Sequence, residues 1–280
     1  MKSKIGVLAI ASFFVLSACG GGENAEVTDS DRTAQDTTKN NVQEDMGSAD
    51  IMEKDGITLT AYNSSPKFEG AKLTLTSPKN GDNVKAGNVK FEYDVQGYEL
   101  GAQTSDAGTN GLANSGDGQH IHAILNNEPY MAHYKPGFET DLKDGKYVLL
   151  SFLSRSYHES LKNAEAMNII EFTVGNSDAP SVDLNAPHLF YSRPKGTYKG
   201  VDTDKLLLDF YLVNCDLSED GYKVRATLNG TEFMLTKWAP YIVEGLPKGD
   251  LNLKLELLDS NGDLVSSPYN PSTRTVQLEE

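Results

Sequence analysis

The sequence predicts an all-β protein of two tandem immunoglobulin-like β-sandwich domains. Short stretches of alternating apolar and polar residues, such as 72–76 and 89–95, are separated by turns rich in glycine, proline and asparagine. No stretch has the sustained apolar stripe of a long helix. The chain has 280 residues, of which 38% are hydrophobic, and this is enough to bury two ordinary cores.

An internal repeat divides the folded part of the chain. Residues 117–126 align with residues 220–229 at an offset of 103, and further matches follow at an offset of 104 after one inserted residue. Two copies are too few for a solenoid. We therefore expect two related sandwiches, at residues 62–176 and 181–280, and we expect the chain from about residue 187 onward to fold alone.

The N-terminus has the pattern of an export signal. Lys2 and Lys4 precede an apolar run from Ile5 to Leu16, which is too short to span a bilayer permanently. The run ends in Leu-Ser-Ala-Cys-Gly, which resembles a bacterial lipobox. The resemblance implies that residues 1–18 are a signal peptide and that Cys19 becomes a lipid-modified, palmitate-bearing N-terminus. It places the protein in the bacterial cell envelope, anchored to a membrane, with the outer membrane or cell surface favoured.

Residues 19–61 are predicted to be a disordered acidic linker. Between residues 20 and 55 there are ten carboxylates against three basic side chains, the composition of a solvated, self-repelling segment. The whole chain carries a net charge of −15, which argues against nucleic-acid binding. It has only two cysteines, so a disulfide framework or a cysteine-built zinc module is excluded.

Histidines are concentrated in the first half. Four of the five lie within one 39-residue stretch: His120, His122, His133 and His158. In the repeat alignment, Lys223 and Arg225 stand in the places of the first two. The second half is predicted to have the same fold without these imidazoles, so the fold alone does not require them.

Strand geometry predicts that the four histidines meet. His120 and His122 are two residues apart, so their side chains project from one face of a strand. If residues 126–129 form the hairpin loop, His122 pairs with His133, and His158 returns to the end where His120 begins. Imidazoles so grouped would suit a divalent ion, zinc or copper(II), bound at about 2.0–2.1 Å. The alternatives are solvated or structural histidines on an ordinary exposed sheet face.

A long irregular loop at residues 100–118 leads into His120 and is expected to cover the site. It offers four polar side chains as candidate ligand-binding residues: Gln103, Asn110, Asn114 and Asp117. The alternative function is therefore a cell-surface module that binds a peptide, which includes a phosphopeptide, or a saccharide through this loop.

The spacing of the first half resembles a known kind of domain. The His120 and His122 pair, the segment Leu-Lys-Asp-Gly-Lys-Tyr at residues 142–147 and the later His158 are similar to a small histidine-containing β-sandwich domain of unknown function from exported bacterial proteins. This chain lacks a third histidine beside the pair and has Tyr157, where that domain has an acid, before His158. The resemblance implies a shared fold more than any shared activity.

Enzymatic chemistry finds little support in the sequence. No nucleophile elbow, phosphate loop or dinucleotide fingerprint occurs. A metal-dependent hydrolase would need a general base, for which Glu159 is the only nearby candidate. The sequence therefore predicts a non-enzymatic, membrane-anchored binding lipoprotein with a histidine-based zinc or copper site and no other cofactor.

Overall fold

The computed structural model describes residues 50–280, and its regular structure is almost entirely β. The predicted signal peptide, Cys19 and the linker up to residue 49 lie outside the described residues. Two short 3-10 turns, Ala164–Ala166 and Gly200–Thr203, are the only helical elements of residues 50–280, where no helix is long and apolar enough to cross a bilayer. The strands are β1 Ile51–Lys54, β2 Ile57–Ala61, β3 Lys72–Ser77, β4 Asn83–Val84, β5 Gly87–Gln96, β6 His120–Leu125, β7 Met131–His133, β8 Gly137–Leu142, β9 Gly145–Ser154, β10 Met167–Val174, β11 His188–Arg193, β12 Thr197–Lys199, β13 Leu206–Val213, β14 Lys223–Leu228, β15 Thr231–Leu235, β16 Tyr241–Glu244, β17 Gly249–Leu258 and β18 Ser272–Glu279.

These strands build two immunoglobulin-like β-sandwiches, as the sequence predicts. In the first sandwich, the sheet β3-β5-β8 packs on the sheet β4-β10-β9-β6-β7 around a core that includes Leu73, Phe91 and Leu149. In the second, the sheet β1-β2-β16-β13-β11 packs on β12-β18-β17-β14-β15 around Leu208 and Leu253. Alternating apolar side chains fill both cores, as expected for two sheets packed face to face.

The internal repeat is confirmed in the strand order. β6 and β14 occupy the same place in their sheets and each has six residues; β9 and β17 each have ten, and β10 and β18 each have eight. A short strand pairs in parallel with the last strand of each copy, β4 with β10 and β12 with β18. The two sandwiches are therefore versions of one arrangement.

The predicted linker boundary at residue 61 is wrong. Residues 51–61 form the hairpin β1-β2, whose second strand pairs with β16 of the second sandwich. Ile57 and Leu59 are buried in that sandwich's core. The turn is Asp55-Gly56, with both residues at positive φ, and Asp-Gly is a strong hairpin signal. The sequence analysis assigned the Asp-Gly turn and the alternating residues 57–61 to the linker because the segment before them is acidic.

A third apolar cluster joins the two sandwiches. The outer face of β6 and β9 packs on β11 and β13, and the rings of Phe152 and Tyr211 stack there at 4.8 Å. Polar contacts flank this interface: Lys162 Nζ lies 2.7 Å from Asp209 Oδ1, and Asn127 Oδ1 accepts a hydrogen bond from the Tyr191 backbone at 2.8 Å. A face that would be solvated in an isolated sandwich is thus buried between the two halves.

Candidate metal centre

His120 and His122 lie on the strand face that is turned toward the second sandwich. Both are fully buried, with 0% of each side chain exposed. The intervening Ile121 and the following Ala123 point into the core of the first sandwich. The two-residue period of the strand therefore separates a polar pair from an apolar pair, as the sequence predicts.

His158 reaches the same place from the end of β9. That strand runs antiparallel to β6 and places Ser154 opposite His120. A tight turn follows, in which the His158 backbone N–H donates to Arg155 O at 2.8 Å and Ser154 bridges to Ser160. His158 has a φ of 69°, a left-handed conformation that is uncommon for a residue with a side chain. The expected return of His158 to the beginning of β6 is confirmed.

Three ring nitrogens converge on one point. His120 Nε2 lies 2.9 Å from His122 Nε2 and 3.0 Å from His158 Nδ1, and the third side of the triangle measures 3.4 Å. A tetrahedral ion with bonds of about 2.0–2.1 Å separates its ligand nitrogens by about 3.3 Å. His120, His122 and His158 would supply three of the four ligands of such an ion. The triangle therefore has the size of a three-histidine site.

Hydrogen bonding alone does not satisfy this triangle. His120 Nδ1 lies 2.7 Å from Gly118 O, and since a carbonyl only accepts, that nitrogen carries the proton. The Nε2 of a neutral His120 then has one lone pair, directed at two neighbouring imidazole nitrogens. Only one neighbour can donate to it, so at least one close nitrogen–nitrogen contact has no proton to stabilise it. A cation at the centre would satisfy all three lone pairs.

Burial keeps these imidazoles neutral. Desolvation lowers the pKa of His120 to about 4 and lowers the pKa of His122 and His158 further below their ordinary value. The positive charge of Arg193 acts in the same direction on all three pKa values. Neutral imidazole is the form that ligates metals, so the site is ready for a cation at neutral pH.

The second sandwich completes the site. Ser192 Oγ lies 3.4 Å from His122 Nδ1, and Lys195 Nζ donates to Tyr130 O at 2.6 Å. The Tyr130 ring stacks on His122 at 3.7 Å, and its hydroxyl lies 3.4 Å from His158 Nδ1. The sequence analysis missed these neighbours. The consecutive apolar residues Val148–Leu150 were the available indication that the second sandwich covers this strand, because a strand buried on both faces does not alternate.

The loop at residues 100–118 contacts the site through its end. Gly118 O holds His120, and Ser115 Oγ lies 2.7 Å from the Tyr134 hydroxyl, whose ring is 5.0 Å from that of His120. The predicted ligand-binding side chains are spread along the loop: Gln103 donates to Ser115 O and Gly116 O, Asn114 donates to Gln103, Asn110 accepts from Leu112 N, and Asp117 N donates to Ser115 Oγ. Gln103 also lines a surface cleft with Phe68 and Tyr98. Their binding role stays a prediction.

His133 does not join the cluster, contrary to the predicted register. β7 pairs Ile121 with His133 and His122 with Ala132, one residue away from the expected pairing. The hairpin loop is one residue shorter than predicted, because Asn126 and Asn127 both adopt positive φ and close a tighter turn. A one-residue slip sends a side chain to the opposite face. There the ring of His133 stacks on Phe138 at 3.6 Å.

Glu159 also lies outside the three-histidine group. Its carboxylate is 2.8 Å from Arg155 Nη1 and accepts a hydrogen bond from Ser65 Oγ at 2.5 Å. Burial raises its pKa to about 7. Because this carboxylate is engaged by Arg155 and Ser65, the arrangement gives no support to the metal-dependent hydrolase.

Comparison with known proteins gives likenesses of fold. No protein-family model and no curated protein matches the chain. The fibronectin(III)-like modules of Clostridium thermocellum CbhA are 12% identical with a TM-score of 0.26, over 74% of this chain and 94% of that one. Bacteroides ovatus SGBP-B of a mixed-linkage glucan utilization locus, solved with a heptasaccharide, is 11% identical with a TM-score of 0.23, over 74% of this chain and 47% of that one. A Ca²⁺-stabilised adhesin that helps an Antarctic bacterium bind ice is 10% identical with a TM-score of 0.21, over 76% of this chain and 49% of that one.

Proposed function

We propose that this protein is a membrane-anchored lipoprotein that binds one divalent transition-metal ion, zinc or copper(II), through His120, His122 and His158. The main support for this proposal is the triangle of ring nitrogens, with sides of 2.9, 3.0 and 3.4 Å. Imidazole nitrogen is a preferred ligand of both ions. The hydrogen bond from His120 Nδ1 to Gly118 O is the kind of outer contact that fixes the tautomer of a ligating histidine. The function proposed is binding, with no reaction assigned.

The remaining histidine of the chain, His188, supports the proposed metal site by contrast. His188 is also buried, with 1% exposed, but each of its ring nitrogens has its own oxygen partner. Its Nδ1 lies 2.8 Å from Ser267 Oγ, and its Nε2 lies 2.9 Å from Asp183 O. A buried structural histidine in this protein is thus paired with oxygen atoms. The histidines of the triangle face one another instead.

The proposal is tested by titrating the purified, metal-free protein with zinc and with copper(II) in a calorimeter. The informative pair of variants is His122→Phe and His133→Phe, which remove one imidazole each by the same substitution. Loss of an outer contact to a metal ligand costs 10–100-fold in affinity, so loss of a ligand should cost at least about 100-fold. We expect one ion per chain in the wild type, full binding in His133→Phe and loss of binding in His122→Phe.

The outcomes separate this site from chance binding by surface groups. Equal weakening in both variants would mean that the ion binds wherever histidines are available, and the three-histidine site would be rejected. Unchanged binding in His122→Phe would place the ion elsewhere. A third variant, His188→Gln, reports on stability without touching the triangle and should keep the full affinity.

Anchoring through Cys19 is the second part of the proposal. It is supported by the lipobox-like segment that ends at Cys19 and by the acidic, turn-rich composition of the residues that follow it. We expect the wild type to partition into detergent with the membrane fraction and Cys19→Ala to leave that fraction. If the alanine variant stays in the membrane fraction, a lipid on Cys19 is not the anchor.

A further inference from the structure

The charged side chains that lie over the Tyr130 ring, which stacks on His122, are both cationic: Arg193 Cζ lies 5.5 Å and Lys195 Nζ lies 4.2 Å from the centre of that ring. Within residues 50–280, no carboxylate belongs to the histidine group. Neither Arg193 nor Lys195 forms an ion pair with a carboxylate of the described residues. The chain as a whole carries a net charge of −15. The site is therefore flanked by a cationic region, formed by Arg193 and Lys195, in a chain that is acidic overall.

Arg193 is the central member of this cationic region. Its side chain is 7% exposed, and its carbon Cζ lies 5.5 Å from the centre of the Tyr130 ring, which stacks on His122. One guanidinium nitrogen, Nη1, donates to the Tyr198 hydroxyl at 2.7 Å. The Nε is buried with no acceptor among the described residues. A buried guanidinium without a carboxylate leaves a charge-assisted donor to be satisfied.

A metal ion alone would increase this excess of positive charge. Three neutral imidazoles do not offset a divalent cation, and Arg193 and Lys195 add two further positive charges nearby. Uncompensated charge in a buried site is costly. The three histidines leave one coordination position of a tetrahedral ion open, and in metal sites of this class a water or another exogenous ligand takes it. An anion at that position would offset part of the positive charge of the ion and the guanidinium.

We infer that the open coordination position takes a small oxyanion, a carboxylate or a phosphate, whose charge is shared between the metal and Arg193. This inference rests on the metal site proposed above and specifies the ligand that the site binds with the metal. The Tyr130 hydroxyl lies 3.4 Å from His158 Nδ1, so it is placed to donate a second hydrogen bond to such an anion. Lys195, whose Nζ lies 4.2 Å from the Tyr130 ring centre, adds positive potential at the rim.

The test uses cobalt(II), which occupies imidazole sites and reports its coordination through visible absorption. The protein is loaded with one equivalent of cobalt and then titrated with acetate and, in a separate titration, with inorganic phosphate. We expect a saturable spectral change in the wild type, and the tighter of the two anions identifies the ligand class. In Arg193→Met, the apparent anion affinity should fall at least about tenfold, since a charge-assisted hydrogen bond is lost. Arg225→Met is the matched control: Arg225 has its own partner, Glu256, at 2.7 Å, and its loss should leave the anion titration unchanged.

The cobalt affinity measured without anions separates this role from a structural one. Removing a positive charge should leave that affinity unchanged or raise it, whereas damage to the site would lower cobalt and anion binding together. If neither anion changes the cobalt spectrum of the wild type, the anion inference is overturned and the metal site stands. Equal loss of anion affinity in Arg193→Met and Arg225→Met would have the same meaning. Absence of any cobalt spectrum would reject the metal site itself and the anion with it. Even if Arg193→Met fails to fold, the wild-type titration shows whether the cobalt-loaded site binds an anion.

Discussion

The strands β6 and β14 occupy the same position in two copies of one fold, yet they have opposite surroundings. His120 and His122 on β6 are fully buried, whereas their counterparts on β14, Lys223 and Arg225, are partly exposed, and Arg225 pairs with Glu256. The difference arises because the outer face of β6 and β9 is covered by the other sandwich. On the corresponding face of β14 and β17, Lys223, Arg225 and Lys254 are partly exposed. The same backbone position therefore holds a buried histidine group in one copy and partly exposed charged side chains in the other.

This comparison explains why the site lies where it does. Imidazoles on a solvated strand would be protonated more readily and would remain free to turn toward water. Coverage by β11 and β13 removes water and lowers the pKa of each imidazole, and the three facing ring nitrogens lie within 3.4 Å of one another. The second sandwich thus contributes to the site without supplying one of its three histidines.

The largest expected effect concerns the independence of the two halves. Residues 187–280 lack the hairpin β1-β2, which pairs with β16 and places Ile57 and Leu59 in the second core. We now expect this fragment to show no cooperative unfolding transition, whereas residues 50–280 unfold cooperatively. Circular dichroism during chemical denaturation measures both. A cooperative transition in the shorter fragment would mean that the halves are separate domains and that the hairpin is dispensable.

A second prediction compares equivalent positions on β9 and β17. Leu150 is completely buried between the sandwiches, and Lys254 occupies the same place on the exposed face of the second copy. Leu150→Ala should lower the free energy of unfolding by about 2–5 kcal/mol, the usual cost of a large cavity. Lys254→Ala should change it by no more than about 0.5 kcal/mol. Similar costs in the two variants would contradict the burial of the outer face of β9.

A third prediction follows from the lowered pKa values in the first half. His120 stays neutral in the folded, metal-free protein down to a pKa of about 4, but in the unfolded chain it binds a proton below about 6.5. The unfolded state then holds more protons, so stability falls as the pH decreases from about 6.5 to 4. Each such histidine contributes about 1.4 kcal/mol per pH unit in that window. Denaturation in the presence of a chelator should show a shallower pH dependence in His120→Phe, and an unchanged slope would refute the burial of this imidazole.

Much of this architecture could be predicted from the sequence, because strand alternation and the repeat are local patterns. The two sandwiches and the meeting of His120, His122 and His158 follow from the two-residue period and from strand direction. The placement of His133 could not be obtained, since it depends on a one-residue difference in the Asn126-Asn127 turn. The contact between the sandwiches was indicated only by the consecutive apolar residues of β9 and β13, which contrast with the alternation of β14 and β17.

X-ray absorption at the zinc edge of the protein loaded with one equivalent of zinc reports the ligands of the ion directly. We expect three imidazole nitrogens at about 2.0–2.1 Å, with one further light-atom ligand. The same signal should persist in His133→Phe and should lose imidazole scattering, or the ion itself, in His122→Phe. A zinc ion coordinated by fewer than three imidazoles in the wild type, or an unchanged three-imidazole signal in His122→Phe, would contradict the proposed site.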